Sequence, residues 1–145
     1  PNNRKDNTMT FSGSTEDRLA IRELMDIYAD AVNQRDTDLW ASTWTEDSSW
    51  KLPVIPGMEN VSGKDNIVSA WQAGMAMFPF IFMSISVGFI RVDGDTATAR
   101  CYTTEVGTTV DGTEIRPRGQ YDDMLVKVGG QWFFKERIFN SLYGE

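Results

Sequence analysis

Apolar residues recur at three- and four-residue spacings through the first third of the chain and at two-residue spacings through most of the rest, so helices precede strands. Ile21, Leu24, Tyr28, Ala31 and Val32 make one stripe. It predicts a helix beginning near Ser14 or Thr15, with Glu16 and Asp17 at its positive end. Gln34-Arg35-Asp36 breaks the pattern. A second helix is expected over 37–45, turning Leu39, Trp40 and Trp44 to the core, then an acidic turn at Glu46-Asp47-Ser48 and a strand over 49–52. Residues 53–62 hold two prolines and a glycine and read as a loop. A third helix over 65–77 carries Ile67, Val68 and Trp71 inward. Four longer strands follow, over 80–91, 96–108, 114–128 and 131–142, with Asp93-Gly94, Asp111-Gly112 and Gly129-Gly130 as their turns. That order predicts an α+β fold in which a curled, mostly antiparallel sheet wraps around three helices.

A chain of 145 residues fits one domain, expected over 15–145, behind a polar Asn/Ser/Gly-rich stretch (1–14) expected to be a loose tail. Met9 is a candidate native start. The net charge of −7 and the lack of any basic run argue against a nucleic-acid partner, because phosphate binding is driven by clustered Lys and Arg. No apolar run reaches the roughly 20 residues of a membrane span, and the richest, 78–92, is broken by Pro79, Ser84, Ser86 and Gly88. The single cysteine, Cys101, excludes an internal disulfide and reads as a buried thiol. With no secretory-type leader in view, a cytoplasmic setting is expected. The chain contains no histidine, which narrows the acid–base chemistry open to it.

Four segments together, IRELMDIYADAVNQRDTDLWASTWTEDSSW, GKDNIVSAW, VDGDTATARCY and RGQYDDMLVKVGGQWFFKERI, resemble the SnoaL-like branch of the nuclear transport factor 2-like superfamily. The likeness runs from about Asp17 to Phe139. It implies a cone-shaped α+β barrel with a deep apolar pocket for a small hydrophobic ligand, no cofactor and no metal, and often a homodimer through the open sheet face. Relatives include polyketide cyclases, scytalone dehydratase, ketosteroid isomerase, limonene epoxide hydrolase and hexachlorocyclohexane dehydrochlorinase. Others are non-catalytic, among them dioxygenase small subunits, whose longer extensions this chain lacks.

Residue by residue, the resemblance transfers unevenly. The dehydratase-type Asp–His dyad falls on Asn33 and on Met83 or Ser84, so both partners are missing. Against the isomerase pattern, the base position is Leu52, while Tyr28 stands at the tyrosine position and Asp123 near the later acid. No Arg-x-Asp of the epoxide-hydrolase kind is found in the third long strand or its partners.

Alternation puts Ala97, Ala99, Cys101, Thr103 and Glu105 on one face, and Gly119, Tyr121, Asp123 and Leu125 on another, which the resemblance implies is the inner one. Asp123, Tyr28, Tyr121 and Glu105 are therefore the candidate catalytic residues, with Asp123 as proton carrier and Glu105 as a second acid. A carboxyl in an apolar pocket has a raised pKa and can both give and take a proton near neutrality. Structural alternatives stand beside these. Asp122 and Asp123 are equally read as a solvated couple or as partners of Arg116, Arg118 or Lys127, Glu105 as a rim ion pair, and Tyr28 as core. Candidate ligand contacts are Asn33, Trp44, Trp50, Trp71, Phe82, Met83, Leu52 and Arg118. The expected activity is cofactor-free isomerisation, cyclisation or dehydration of a lipophilic oxygenated molecule such as a polyketide, terpenoid or steroid. The alternative is a ligand-binding or scaffold protein that kept the cone and lost the chemistry.

Overall fold

A computed structural model describes residues 10–144. Helix α1 (Thr15–Gln34) starts where the Ser14 hydroxyl accepts the Asp17 N–H at 3.0 Å, and ends where Arg35 turns left-handed (φ 54°) and caps the carbonyls of Ala31 and Val32. Asp36 caps α2 (Thr37–Ala41), which is shorter than the predicted 37–45. The Ser42 and Thr43 hydroxyls turn back to the carbonyls of Leu39 and Trp40, competing with the helix, so Trp44 opens strand β2 rather than closing a helix.

The first strand, β1, is only Phe11–Ser12, and β2 runs Trp44–Lys51, taking in the stretch expected as an acidic turn. Val61–Ser62 form β3, and α3 spans Lys64–Met75. Then come β4 (Phe80–Asp93), β5 (Thr96–Thr108), β6 (Glu114–Ile115), β7 (Arg118–Val128) and β8 (Gln131–Tyr143). The strand predicted over 114–128 is split between β6 and β7 at Pro117, which has no N–H to give a ladder. Within the expected loose tail, Phe11–Ser12 instead pair in parallel with Ile90–Arg91 of β4. Residues 1–9 of that tail, with Met9, lie outside the described residues.

The sheet order is β1-β4-β5-β7-β8-β2-β3, with β6 beside β5. The long neighbours are antiparallel and β2 joins β8 in parallel, giving a curved, unclosed sheet with the three helices packed against it. The core lies between them. Trp40 stacks on Trp71 at 4.6 Å and meets Trp44, Trp50 and Tyr28 at ring separations of 5.4–5.6 Å. Among the described residues no helix is long and apolar enough to cross a membrane.

Candidate functional site

Three rows of side chains cross the inner face of the sheet. Ile85, Thr103 and Gly119 make one; Val87, Cys101, Tyr121 and Phe139 the next; Ala99, Asp123, Arg137 and Trp50 the third. The third row depends on a bulge. Met124 faces Glu136 while the next residue, Leu125, faces Phe134, so Lys135 is an extra residue in β8. Simple alternation would put Phe134 and Arg137 on opposite faces. The bulge turns both inward.

Arg137 is thereby 1% exposed. Its Nε donates to Asp123 Oδ1 at 2.7 Å, and its Nη2 donates to Asp123 Oδ2 at 3.1 Å and to Cys101 Sγ at 3.2 Å. The guanidinium sits over the rings of Tyr121, Phe134 and Tyr28, 3.8–4.4 Å from their centroids. Burial pushes the Asp123 carboxyl up from its ordinary value, and the Arg137 charge opposes it. Burial works against the Arg137 charge, but Asp123 together with Cys101 and Tyr28 outweighs it, and the guanidinium holds its proton more tightly than usual. The two form a buried ion pair. Burial raises the Cys101 thiol to about 11, so it stays protonated at neutral pH.

Next to this pair, Trp50 Nε1 donates to the Tyr121 hydroxyl at 3.1 Å, and the Tyr121 and Tyr28 oxygens are 3.4 Å apart. Both phenols are pushed above their ordinary value, chiefly by burial, with Arg137 pulling each back down. The charge of Glu105 reaches Tyr28 and raises it further.

Glu105 has a different setting. It faces Met83 across β4 and β5 and is half-buried, and burial by itself lifts its carboxyl to about 7. Among the described residues its carboxyl has neither a hydrogen bond nor an ion pair. Two positions away on the same face, Thr103 is 2% exposed and its hydroxyl has no partner. Opposite Thr103, Gly119 leaves space for the Phe139 ring, which a Cβ there would meet at 2.1 Å.

The predicted site residues thus separate. Tyr28, Tyr121, Asp123, Trp44, Trp50, Trp71, Leu52 and Met83 are buried in the core, with Glu105 at its edge. Phe82 is not a wall of it: strand alternation turns it to the outer face, where it is 48% exposed. Arg118 also lies on the outer face, donating to the Arg116 carbonyl. Asn33 is not free for a ligand, since its amide donates to the Met83 carbonyl at 2.9 Å and accepts the Met83 N–H at 2.7 Å. Asp123 is not a free acid, and its partner is none of Arg116, Arg118 or Lys127. Asp122 instead pairs on the outer face with Arg100. An Arg–Asp pair on adjacent strands does exist, though without the Arg-x-Asp spacing sought in the sequence. Arg137 and Thr103 are the residues that sequence reasoning passed over. Only the bulge could have signalled Arg137, and nothing local marks it.

Among the described residues no three His, Cys, Asp or Glu side chains are grouped to hold a metal ion. A surface depression of about 410 Å³, lined in part by Arg91, Asp93, Ala97, Thr98, Leu125 and Lys135, contains none of Glu105, Thr103, Tyr28, Tyr121, Asp123 and Arg137.

Comparison with known proteins places this geometry in a wider set. An uncharacterized protein of Mycobacterium tuberculosis is 27% identical over 137 residues, spanning 92% of this chain and 90% of the relative. A crystal structure from Kribbella flavida superposes with a TM-score of 0.81 at 22% identity, covering 90% of this chain and 93% of that one. A type 2 hexachlorocyclohexane dehydrochlorinase superposes with a TM-score of 0.78 at 19% identity, covering 90% and 88%. These two structural likenesses are of fold. Residues 13–138 match the model of the SnoaL-like domain, and the chain belongs to that family.

Proposed function

We propose that this protein is a cofactor-free acid–base enzyme that isomerises, cyclises or dehydrates a lipophilic oxygenated small molecule of polyketide, terpenoid or steroid type. One observation carries the reading: among the described residues Glu105 is an unpaired, half-buried carboxyl on the inner face of the sheet, beside the unpartnered Thr103 hydroxyl. Its pKa of about 7 lets it take a proton from a carbon next to a carbonyl and return it elsewhere. Tyr28 holds the substrate oxygen as negative charge builds on it, and Thr103 hydrogen-bonds a second oxygen. A donor placed in such a dry setting contributes about 3 kcal/mol to transition-state stabilisation. Asp123, tied to Arg137, positions the phenols. Tryptophan and methionine side chains supply apolar contact. The dehydrochlorinase among the fold neighbours performs an elimination, which supports chemistry of this class.

Glu105→Gln, assayed with the parent on enones, β-hydroxyketones and epoxides, tests this. Turnover on the substrate the parent accepts should fall about 10²–10⁴-fold, with the circular dichroism unchanged. The parent's kcat/KM should rise through an apparent pKa near 7. Full activity in Glu105→Gln overturns the assignment. A second reading, a binding protein without turnover, is favoured by Asn33, whose amide is occupied by the Met83 backbone where a dyad acid would stand. Ligand binding without turnover by the parent on every substrate establishes that reading instead.

A further inference from the structure

Trp50, Tyr121 and Tyr28 form a chain of hydrogen-bonding groups in which the first member can act in only one way. An indole N–H donates and never accepts. The Tyr121 oxygen therefore accepts from Trp50 at 3.1 Å. Accepting one hydrogen bond polarises a hydroxyl, making it a stronger donor and a poorer acceptor for a second. The oxygen within reach of the Tyr121 proton is that of Tyr28, 3.4 Å away. With Tyr121 donating across that contact, Tyr28 accepts, and its own proton has no acceptor among the described residues.

We infer that Trp50 is a positioning residue that fixes the polarity of this chain, so that the Tyr28 proton is the one offered to a ligand. The group recognised by Tyr28 is then an oxygen with lone pairs and no proton of its own, a carbonyl or an enolate rather than an alcohol. The ligand clause rests on the function proposed above; the polarity of the chain does not.

The protein has four tyrosines, so ¹³Cζ-labelled tyrosine gives four signals, assigned by single Tyr→Phe variants. Trp50 is replaced by 3-benzothienylalanine, which keeps the bicyclic ring and lacks the N–H; Trp50→Phe serves as the second variant. Both replacements should shift the ζ-carbon signals of Tyr121 and of Tyr28, leave those of Tyr102 and Tyr143 in place, and raise the apparent pKa of Tyr28. A shift confined to Tyr121 overturns the inference, because the influence of Trp50 then stops at its direct partner. No shift at either overturns it as well. Shifts at both in a protein that converts no substrate leave the chain standing and remove the catalytic reading.

Discussion

Glu105 and Asp123 share the inner face of the sheet, and their neighbours decide what each does. Asp123 is 3% exposed and gripped by a guanidinium; Glu105 reaches the edge of the core with no partner. For Glu105 the consequence is a pH-dependent loss of stability. Its folded pKa of about 7 lies above its ordinary 4.5, so the unfolded chain gives up this proton first. Stability therefore falls as pH rises from about 4.5 to about 7 and stays lowered above that, by about 1–3 kcal/mol. Glu105→Gln should match the parent in Tm at pH 4 and exceed it at pH 8, read by thermal melts across that range. Asp123 differs from Glu105 in having a charged partner. Asp123→Asn or Arg137→Met alone leaves one buried charge without its partner and should cost about 3–5 kcal/mol in urea denaturation. Replacing both together, as Asp123→Leu with Arg137→Met, should cost clearly less than the two single changes summed.

Between elements, the junction of α1 and β4 depends on one amide. Asn33 lies near the end of α1 and treats the Met83 backbone as a neighbouring strand would, giving one hydrogen bond and taking one. Arg35 adds a second tie from the end of α1, donating from Nη2 to the carbonyl of Met75, the last residue of α3, at 2.6 Å. Asn33→Ala leaves both Met83 groups unmatched and should cost about 1–3 kcal/mol. Asn33→Asp should cost more, since it sets a carboxylate against the Met83 carbonyl; hydrogen exchange at the Met83 amide reports both. Between β7 and β8 the constraint is steric. Gly119→Ala would place its Cβ 2.1 Å from Phe139 Cε2 and 2.9 Å from Thr103 Oγ1, so the ring must move. A destabilisation of about 1–3 kcal/mol follows. The near-ultraviolet dichroism of the aromatic cluster should change with it.

Across the whole molecule, strands far apart in sequence pair within the sheet. Trp50 of β2 pairs with Arg137 of β8, and Phe11 of β1 with Ile90 of β4. Loop closure over such distances precedes the contacts that reward it, so refolding is expected in milliseconds to seconds rather than microseconds. Stopped-flow tryptophan fluorescence measures this directly, since Trp40, Trp44, Trp50 and Trp71 meet only when β2 and both later helices are docked.

Much of this architecture was legible in the residues alone. Spacings of three and four marked α1 and α3, and Asp-Gly and Gly-Gly pairs marked the turns. Alternation put Cys101, Thr103 and Glu105 on one face and Tyr121 with Asp123 on another, and both faces are buried as that pattern requires. Such signals are local: a helix or strand must hide one side, and the side chains along it say which. What the sequence could not say is who sits opposite whom. Phe82 and Arg118 were read as ligand contacts without their strand faces being followed through. Arg137 could not be placed by alternation at all, because one extra residue, Lys135, reverses the inward face of β8. Partnership across strands is a matter of register, and register is settled only when the whole sheet packs. The tertiary structure therefore decided that Asp123 is an anchor and that Glu105 is the carboxyl left free.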